Sequence, residues 1–174
     1  LEIKILEGID HTGKTTHIDE LKQLYKDKLI EIIHVTGEHP NTYDWYSQII
    51  NYAKYNNIEY LIFDRGMIGE LVYGPIYRNK SRLNMDQIIK LFNECNCHID
   101  IIIRYVNKND FNEYYDLLSK RDKHGIEDEF TKSKNKVRKY QEQCIFKHLI
   151  NEIESYKLPN VNINSLKFIP KGGK

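Results

Sequence analysis

Three absences bound what this chain of 174 residues can be. It lacks an excess of either charge: 26 Lys and Arg stand against 25 Asp and Glu, a formal net charge of +1. Nothing therefore draws the whole molecule toward nucleic acid or a membrane surface, and any basic site must be local. Long apolar runs are also missing. None approaches the ~18 residues that a membrane-spanning helix requires, so a transmembrane helix is excluded. Cysteine is scarce: Cys95, Cys97 and Cys144 cannot build a disulfide framework and fit a reducing compartment. Cys95-Asn96-Cys97-His98 has too few, too closely spaced cysteines for a zinc knuckle and reads as ordinary thiols at a helix-to-strand junction. The opening Leu1-Glu2-Ile3-Lys4 shows neither the basic region nor the apolar stretch of a signal peptide, and the expectation is a cytoplasmic chain. With no internal repeat, low-complexity block or linker, residues 1–174 are expected to form one domain.

What is present is a loop. Gly8-Ile9-Asp10-His11-Thr12-Gly13-Lys14-Thr15-Thr16 matches the phosphate-binding pattern G-x-x-x-x-G-K-[ST] at every fixed position. Ile3-Lys4-Ile5-Leu6 before it reads as a buried strand, and Thr15 to Lys28 after it reads as a helix with Ile18, Leu21, Leu24, Tyr25 and Leu29 on its apolar stripe. In that setting backbone N–H groups converge on phosphate oxygens at the positive end of a helix. Asp10, Gly13 and Thr16 belong to the cradle, Lys14 reaches toward the β- and γ-phosphates of ATP, and the Thr15 hydroxyl is placed for Mg²⁺.

The remainder alternates strands with helical segments. Ile30–Val35 reads as a strand, and Asn41 or Thr42 caps a helix to about Tyr55. Tyr60-Leu61-Ile62-Phe63 is a strand ending in Asp64-Arg65, and Met67–Tyr77 a helix broken near Gly74-Pro75. Asn84 or Asp86 opens a helix through Cys95, and His98–Ile103 is a strand buried on both faces. Asn109 or Asp110 caps a helix through Leu118, and a long helix runs from about Phe130 to Tyr156 with Val137, Tyr140, Cys144, Ile145, Leu149 and Ile153 on one side. Val161-Asn162-Ile163 closes the series as a short strand. This spacing predicts an α/β fold with a parallel sheet and helices on both faces.

In such sheets ligands bind outside the carboxyl ends of the strands, and the notable polar residues gather there. Asp64 stands where an acidic residue can hold Mg²⁺ or orient an acceptor. Arg65 is a planar, permanently charged fork suited to an oxyanion. Lys120, Arg121 and Lys123, in a charged stretch at about 119–129, are the expected source of mobile positive charge on a lid.

Leu6-Glu7-Gly8-Ile9-Asp10, followed by Gly13-Lys14-Thr15-Thr16, resembles the opening of thymidylate kinases and related deoxynucleotide kinases. Asp64-Arg65 resembles their D-R-Y/H/S motif, Val72-Tyr73 their A-Y, and Thr36-Gly37-Glu38-His39-Pro40 echoes T-R-E-P-G. The likeness covers Glu2 to about Ile163. It implies a P-loop NTPase three-layer sandwich with five parallel strands, and transfer of the ATP γ-phosphate to a nucleotide's 5′-phosphate, with Mg²⁺. It further implies a small-molecule nucleotide substrate, no stable nucleic-acid partner, and pairing of two copies through helices, as relatives commonly do. Wealth in Lys, Asn, Ile and Tyr fits an AT-rich source genome such as that of a phage or a low-GC bacterium.

The pattern breaks around the acceptor. Position 37 is Gly where the family has Arg, Gly66 replaces the third residue of D-R-Y, and Gly69 stands where Ser is common. The thymine-reading L-L-F-x-A-x-R helix has as its nearest counterpart Ile49–Tyr55, which lacks both Phe and Arg. Trp45, Tyr46, Tyr52 or Tyr73 is then left to stack on a base, and Arg78 to touch the acceptor. The leading expectation is a deoxynucleoside monophosphate kinase, pyrimidine-directed. Its alternatives are a nucleoside kinase with Glu38 as general base, a kinase of a hydroxymethyl pyrimidine free or in DNA, and a non-catalytic nucleotide-binding module.

Overall fold

The computed structural model of the protein describes residues 1–121 and 129–168. Strand β1 (Glu2–Glu7) is followed by α1 (Lys14–Leu24), β2 (Ile30–His34), α2 (Tyr43–Tyr55), β3 (Tyr60–Asp64), α3 (Met67–Arg78), α4 (Met85–Glu94), β4 (His98–Tyr105), α5 (Phe111–Arg121), α6 (Glu129–Ser155) and β5 (Val161–Lys167). The five strands form one parallel sheet in the order β2-β3-β1-β4-β5. The expected α/β sandwich is therefore the observed one. Central β1 is apolar on both faces because helices cover both: Ile3, Ile5 and Leu6 are fully buried, each contributing roughly 1.5–3 kcal/mol. Leu6 packs with Ile18 and Leu21 of α1 on one side. Ile3 and Ile5 join the larger core on the other, with Phe63, Phe92 and Phe146.

Register brings the chemistry to one edge. Leu6 pairs with Asp64, Glu7 with Ile103, and His34 with Asp64, so the strands after which the loops emerge end level with one another.

Several elements differ from their sequence expectation. Helix α1 stops at Leu24, not Lys28, since Leu24 and Leu29 are exposed and only Ile18 and Leu21 of the expected apolar stripe are buried with it. Tyr25 instead stacks on Tyr60, ring centroids 3.9 Å apart. Helix α3 runs unbroken through Pro75 to Arg78. Proline there lacks the N–H that would bond the preceding turn, so the helix forgoes that one bond close to its end. Gly74 is needed for packing, because a Cβ would meet Lys80 O and Ser81 Cα at 2.9 Å, where the chain doubles back over the helix. Strand β4 continues through Arg104 and Tyr105, and β5 through Lys167. On α6 the predicted stripe holds in part: Ile153 is buried and Tyr140, Ile145 and Leu149 pack against the core, whereas Val137 and Cys144 are exposed and Glu142, Phe146 and Ile150 are buried. Thr42 and Asn84 are the helix caps, Asn84 in a reciprocal box with Gln87.

Candidate active site

The loop after β1 has the backbone of a phosphate cradle. Gly8 (φ +123°) and Gly13 (φ +86°) adopt conformations that L side chains rarely take. Both also lie against Arg104: a Cβ on Gly8 would fall 2.1 Å from its carbonyl oxygen, and one on Gly13 2.8 Å from its guanidinium. Thr12 closes the turn by donating to Ile9 O at 2.9 Å. Lys14 is buried and donates to Gly8 O (2.9 Å) and Ile9 O (2.7 Å). Burial pulls its pKa down to about 8, against the upward pull of Asp10, Glu7 and Asp64. Phosphate oxygens entering the loop would replace these carbonyls as partners.

Two clefts open on this edge. The first, about 590 Å³, is lined by the phosphate-loop residues Asp10, His11 and Gly13 to Thr16, by the strand-end residues His34, Asp64, Arg65 and Arg104, and by Tyr114, Leu117, Leu118 and Phe168. The second, about 320 Å³, is lined by Asp10 and Arg65 again, by Thr36, Gly37 and Asn41 after β2, and by Gly66, Gly69, Glu70, Tyr73, Tyr77 and Arg78 of the α3 region. Asp10 and Arg65 are the shared wall.

That wall is a charge network. Arg65 Nη2 donates to Asp10 Oδ1 at 2.7 Å, and Lys139 Nζ of α6 donates to Asp10 Oδ2 at 2.7 Å and to Glu142 Oε2 at 3.0 Å. Tyr77 donates to the other oxygen of fully buried Glu142. Burial alone would raise the Asp10 carboxyl, but Lys139, Arg65 and Lys14 outweigh it and hold its pKa below the usual range. The Lys139 ammonium is held above its usual range by Asp10 and Glu142 although burial opposes this. Arg65 itself sits at φ +63°, a left-handed conformation costing about 1–3 kcal/mol in a non-glycine residue. Its backbone N–H, bonded to Leu6 O at 3.0 Å, helps fix it there.

Behind the wall lies Glu7, fully buried. Its Oε1 accepts from the backbone N–H groups of Ile68 and Gly69 at the start of α3, and its Oε2 has no partner among the described residues. Burial drives its pKa up to about 7, although the helix N–H groups and Lys14 pull the other way. Tyr73 OH and Arg78 Nε, also buried and without a partner among the described residues, belong to residues of the smaller cleft. Unpaired buried polar atoms are rare and point to a ligand or water. Arg78 is held by both oxygens of buried Glu70 at 2.5 Å, with its Nη1 3.7 Å from where a Cβ on Gly37 would stand.

Sequence-predicted residues thus divide. The larger cleft gathers Asp10, Gly13, Lys14, Thr15, Thr16, Asp64 and Arg65, with Gly8 packed behind on β4. The smaller gathers Asp10, Arg65, Tyr73 and Arg78. Glu38 is exposed and stands outside the residues lining either cleft. Of the proposed stacking residues, Tyr46 is fully buried against Phe63 and Tyr52 is exposed, while Trp45 lines a separate surface groove with it. The side chains of Lys120, Arg121 and Lys123, and the lid with them, lie outside the described residues.

The structure adds Glu7, His34, Glu70, Arg82, Arg104, Lys139 and Glu142. His34, whose Nδ1 lies 2.8 Å from Asp64 Oδ2, and Arg104 each stand at a strand end, which is a readable signal. Arg82 holds the loop after β2 through Gly37 O (3.1 Å) and His39 O (2.6 Å). Neither it nor Lys139 carries a sequence signal.

Thr15 and Asp64 offer hard oxygen donors within one cleft, a set that suits Mg²⁺ with several waters retained. Among the described residues no cluster of three or more His, Cys, Asp or Glu is placed to hold a metal by protein ligands alone, and no helix is long and apolar enough to cross a membrane.

The sheet order, the phosphate cradle after β1 and the flanking helices define the fold of P-loop kinases. Solved structures that share it include the following two. The YorR protein from Bacillus subtilis, crystallised with phosphorylated GDP, superposes with a TM-score of 0.68 at 16% identity, over 95% of this chain and 85% of that one. Polyphosphate Kinase 2 from Arthrobacter aurescens TC1 gives 0.53 at 9% identity, over 95% of this chain and 60% of that one. At these identities the likeness shows the fold. No family model and no curated protein matches the chain in sequence.

Proposed function

We propose that the protein is an ATP- and Mg²⁺-dependent kinase that phosphorylates a deoxynucleoside monophosphate, pyrimidine nucleotides first among the candidates. The observation that carries this reading is the shared wall: Asp10 and Arg65 line both clefts, so a group bound on either side meets the same guanidinium. The larger cleft takes the donor, its phosphates in the loop with Lys14 against them. The smaller takes the acceptor, with Arg65 gripping its phosphate and Tyr73 and Arg78 lining the space beyond. Phosphoryl transfer requires mainly alignment and positive charge over the moving group. Lys14 and Arg65 supply fixed charge from the two sides, and Mg²⁺ held through Thr15 and Asp64 supplies neutralisation of the donor oxygens. Of the two structural neighbours, one is a polyphosphate kinase and the other was crystallised with phosphorylated GDP, which supports phosphoryl transfer involving a nucleotide; the preference for pyrimidine rests on the thymidylate kinase resemblance.

A hydroxyl acceptor is the second reading, and one observation favours it. Both arginines lining the smaller cleft already face a carboxylate, Arg65 facing Asp10 and Arg78 facing Glu70, and Asp10 is held by Lys139 as well. That balance suits an uncharged nucleoside better than a phosphate dianion. A coupled ADP-release assay against nucleosides, deoxynucleoside monophosphates and short DNAs separates the two. Turnover with monophosphates alone supports the leading proposal. Turnover with nucleosides or hydroxymethylated DNA alone replaces it, and ATP binding without turnover on any acceptor points to a regulatory module.

A further inference from the structure

The larger cleft is more than a phosphate site. One end is the loop itself; Leu117, Leu118, Tyr114 and Phe168 line it as well, and Tyr114 and Phe168 pack edge-on at 5.7 Å. A chain of phosphates has no use for apolar walls, so the lining fits a ligand with a charged end and a flat apolar end. Arg104 belongs to the same lining. It is half-buried, its Nε donates to Thr12 O at 2.9 Å, and its Nη2, Cζ and Nε lie 2.8, 3.5 and 3.8 Å from where a Cβ on Gly13 would stand. The guanidinium is thus strapped over a glycine of the phosphate loop, a position that any other residue at 13 would contest. It has no carboxylate within ion-pair distance among the described residues, unlike Arg65 and Arg78.

We infer that Arg104 is the platform for the base of the donor nucleotide: its planar guanidinium stacks on a purine ring whose other contacts are the apolar residues of α5 and Phe168. The inference rests on the donor reading of this cleft. A guanidinium fixed by a hydrogen bond at one edge keeps its face for stacking, and planar cation-to-ring contact is what Arg supplies and Lys does not. The chemistry selects a purine nucleoside triphosphate over an inorganic polyphosphate, which would fill the loop and leave the apolar end untouched.

The alternative role for Arg104 is that of a strap holding the phosphate loop in shape through Thr12, and binding measurements separate the two. Titration calorimetry with Mg²⁺ is run with ATP and with inorganic tripolyphosphate on the wild type, Arg104→Lys and Arg104→Leu. The platform predicts that both substitutions weaken ATP about tenfold or more and leave tripolyphosphate within about twofold. Equal weakening of both ligands, or no weakening of ATP in Arg104→Lys, overturns it in favour of the strap. Wild-type protein that binds tripolyphosphate as tightly as ATP refutes the platform while leaving the phosphate loop intact. Binding of neither overturns the donor reading as well.

Discussion

Replacing Glu7 by Gln should remove a stability term that runs opposite to that of most carboxylates. The Glu7 carboxyl is fully buried beneath the start of α3, facing the N–H groups of Ile68 and Gly69, with Lys14 as a charged neighbour and Tyr46 close by. Its pKa rises from an ordinary 4.5 to about 7, burial outweighing those favourable contacts. One pKa unit corresponds to about 1.4 kcal/mol, so keeping this group ionised in the folded state costs about 3 kcal/mol. The folded protein therefore binds the proton more tightly than the unfolded chain does. The stabilisation is complete below pH ~4.5 and is lost as pH rises toward about 7. Gln is isosteric, keeps one oxygen for the helix N–H groups and never ionises. Urea unfolding followed through Trp45, the one tryptophan, gives the stability difference between wild type and Glu7→Gln at pH 5, 6, 7 and 8. Groups common to both proteins cancel in the difference. It should move by about 2–3 kcal/mol in favour of Gln across that range. A difference that stays level from pH 5 to pH 8 would show that Glu7 titrates as an ordinary carboxyl and that the burial argument is wrong.

Other substitutions address the site itself. Lys14→Ala should lower kcat by at least about 10²-fold while leaving a cooperative unfolding transition, and retained turnover would sink the phosphate-loop assignment. Arg65→Ala should raise the KM for the acceptor roughly 10- to 100-fold, the scale of a lost charged hydrogen bond, with little change in ATP affinity; the reverse pattern would misplace Arg65. Arg82→Ala removes the two bonds that hold Gly37 O and His39 O. It should raise the acceptor KM several-fold and lower stability by about 1–2 kcal/mol, whereas an unchanged acceptor KM would mean that the loop after β2 holds its own shape.

The parts of the fold legible in the sequence are those where local chemistry and tertiary role agree. The apolar run of β1, the fixed glycines of the loop and the caps at Thr42 and Asn84 each have one physical reason that the sequence displays directly. Legibility failed where a buried face carries polar function. On α6 the inward-facing Lys139, Glu142 and Gln143 serve Asp10, Tyr77 and the backbone of Val106. The apolar pattern then drifted toward Val137 and Cys144, which are exposed. The far half of β5 is illegible for a similar reason, since Asn164 and Ser165 break its apolar run. At the site the phosphate-loop pattern is legible in the sequence and lines the larger cleft. The wall of the smaller cleft depends on long-range pairs, such as Lys139 with Asp10 across 129 positions, that no local pattern announces. Glu38 illustrates the converse: its place after β2 suggested a base, yet the turn leaves it in solvent.

The central claim is that two substrates meet across the Asp10–Arg65 wall, one in each cleft. A bisubstrate compound, adenosine and thymidine joined 5′ to 5′ through five phosphates, tests it most directly. The two-cleft account predicts one molecule bound per chain, inhibition competitive toward both ATP and the acceptor, and loss of affinity in both Lys14→Ala and Arg65→Ala. Competition with ATP alone, unaffected by Arg65→Ala, would contradict it.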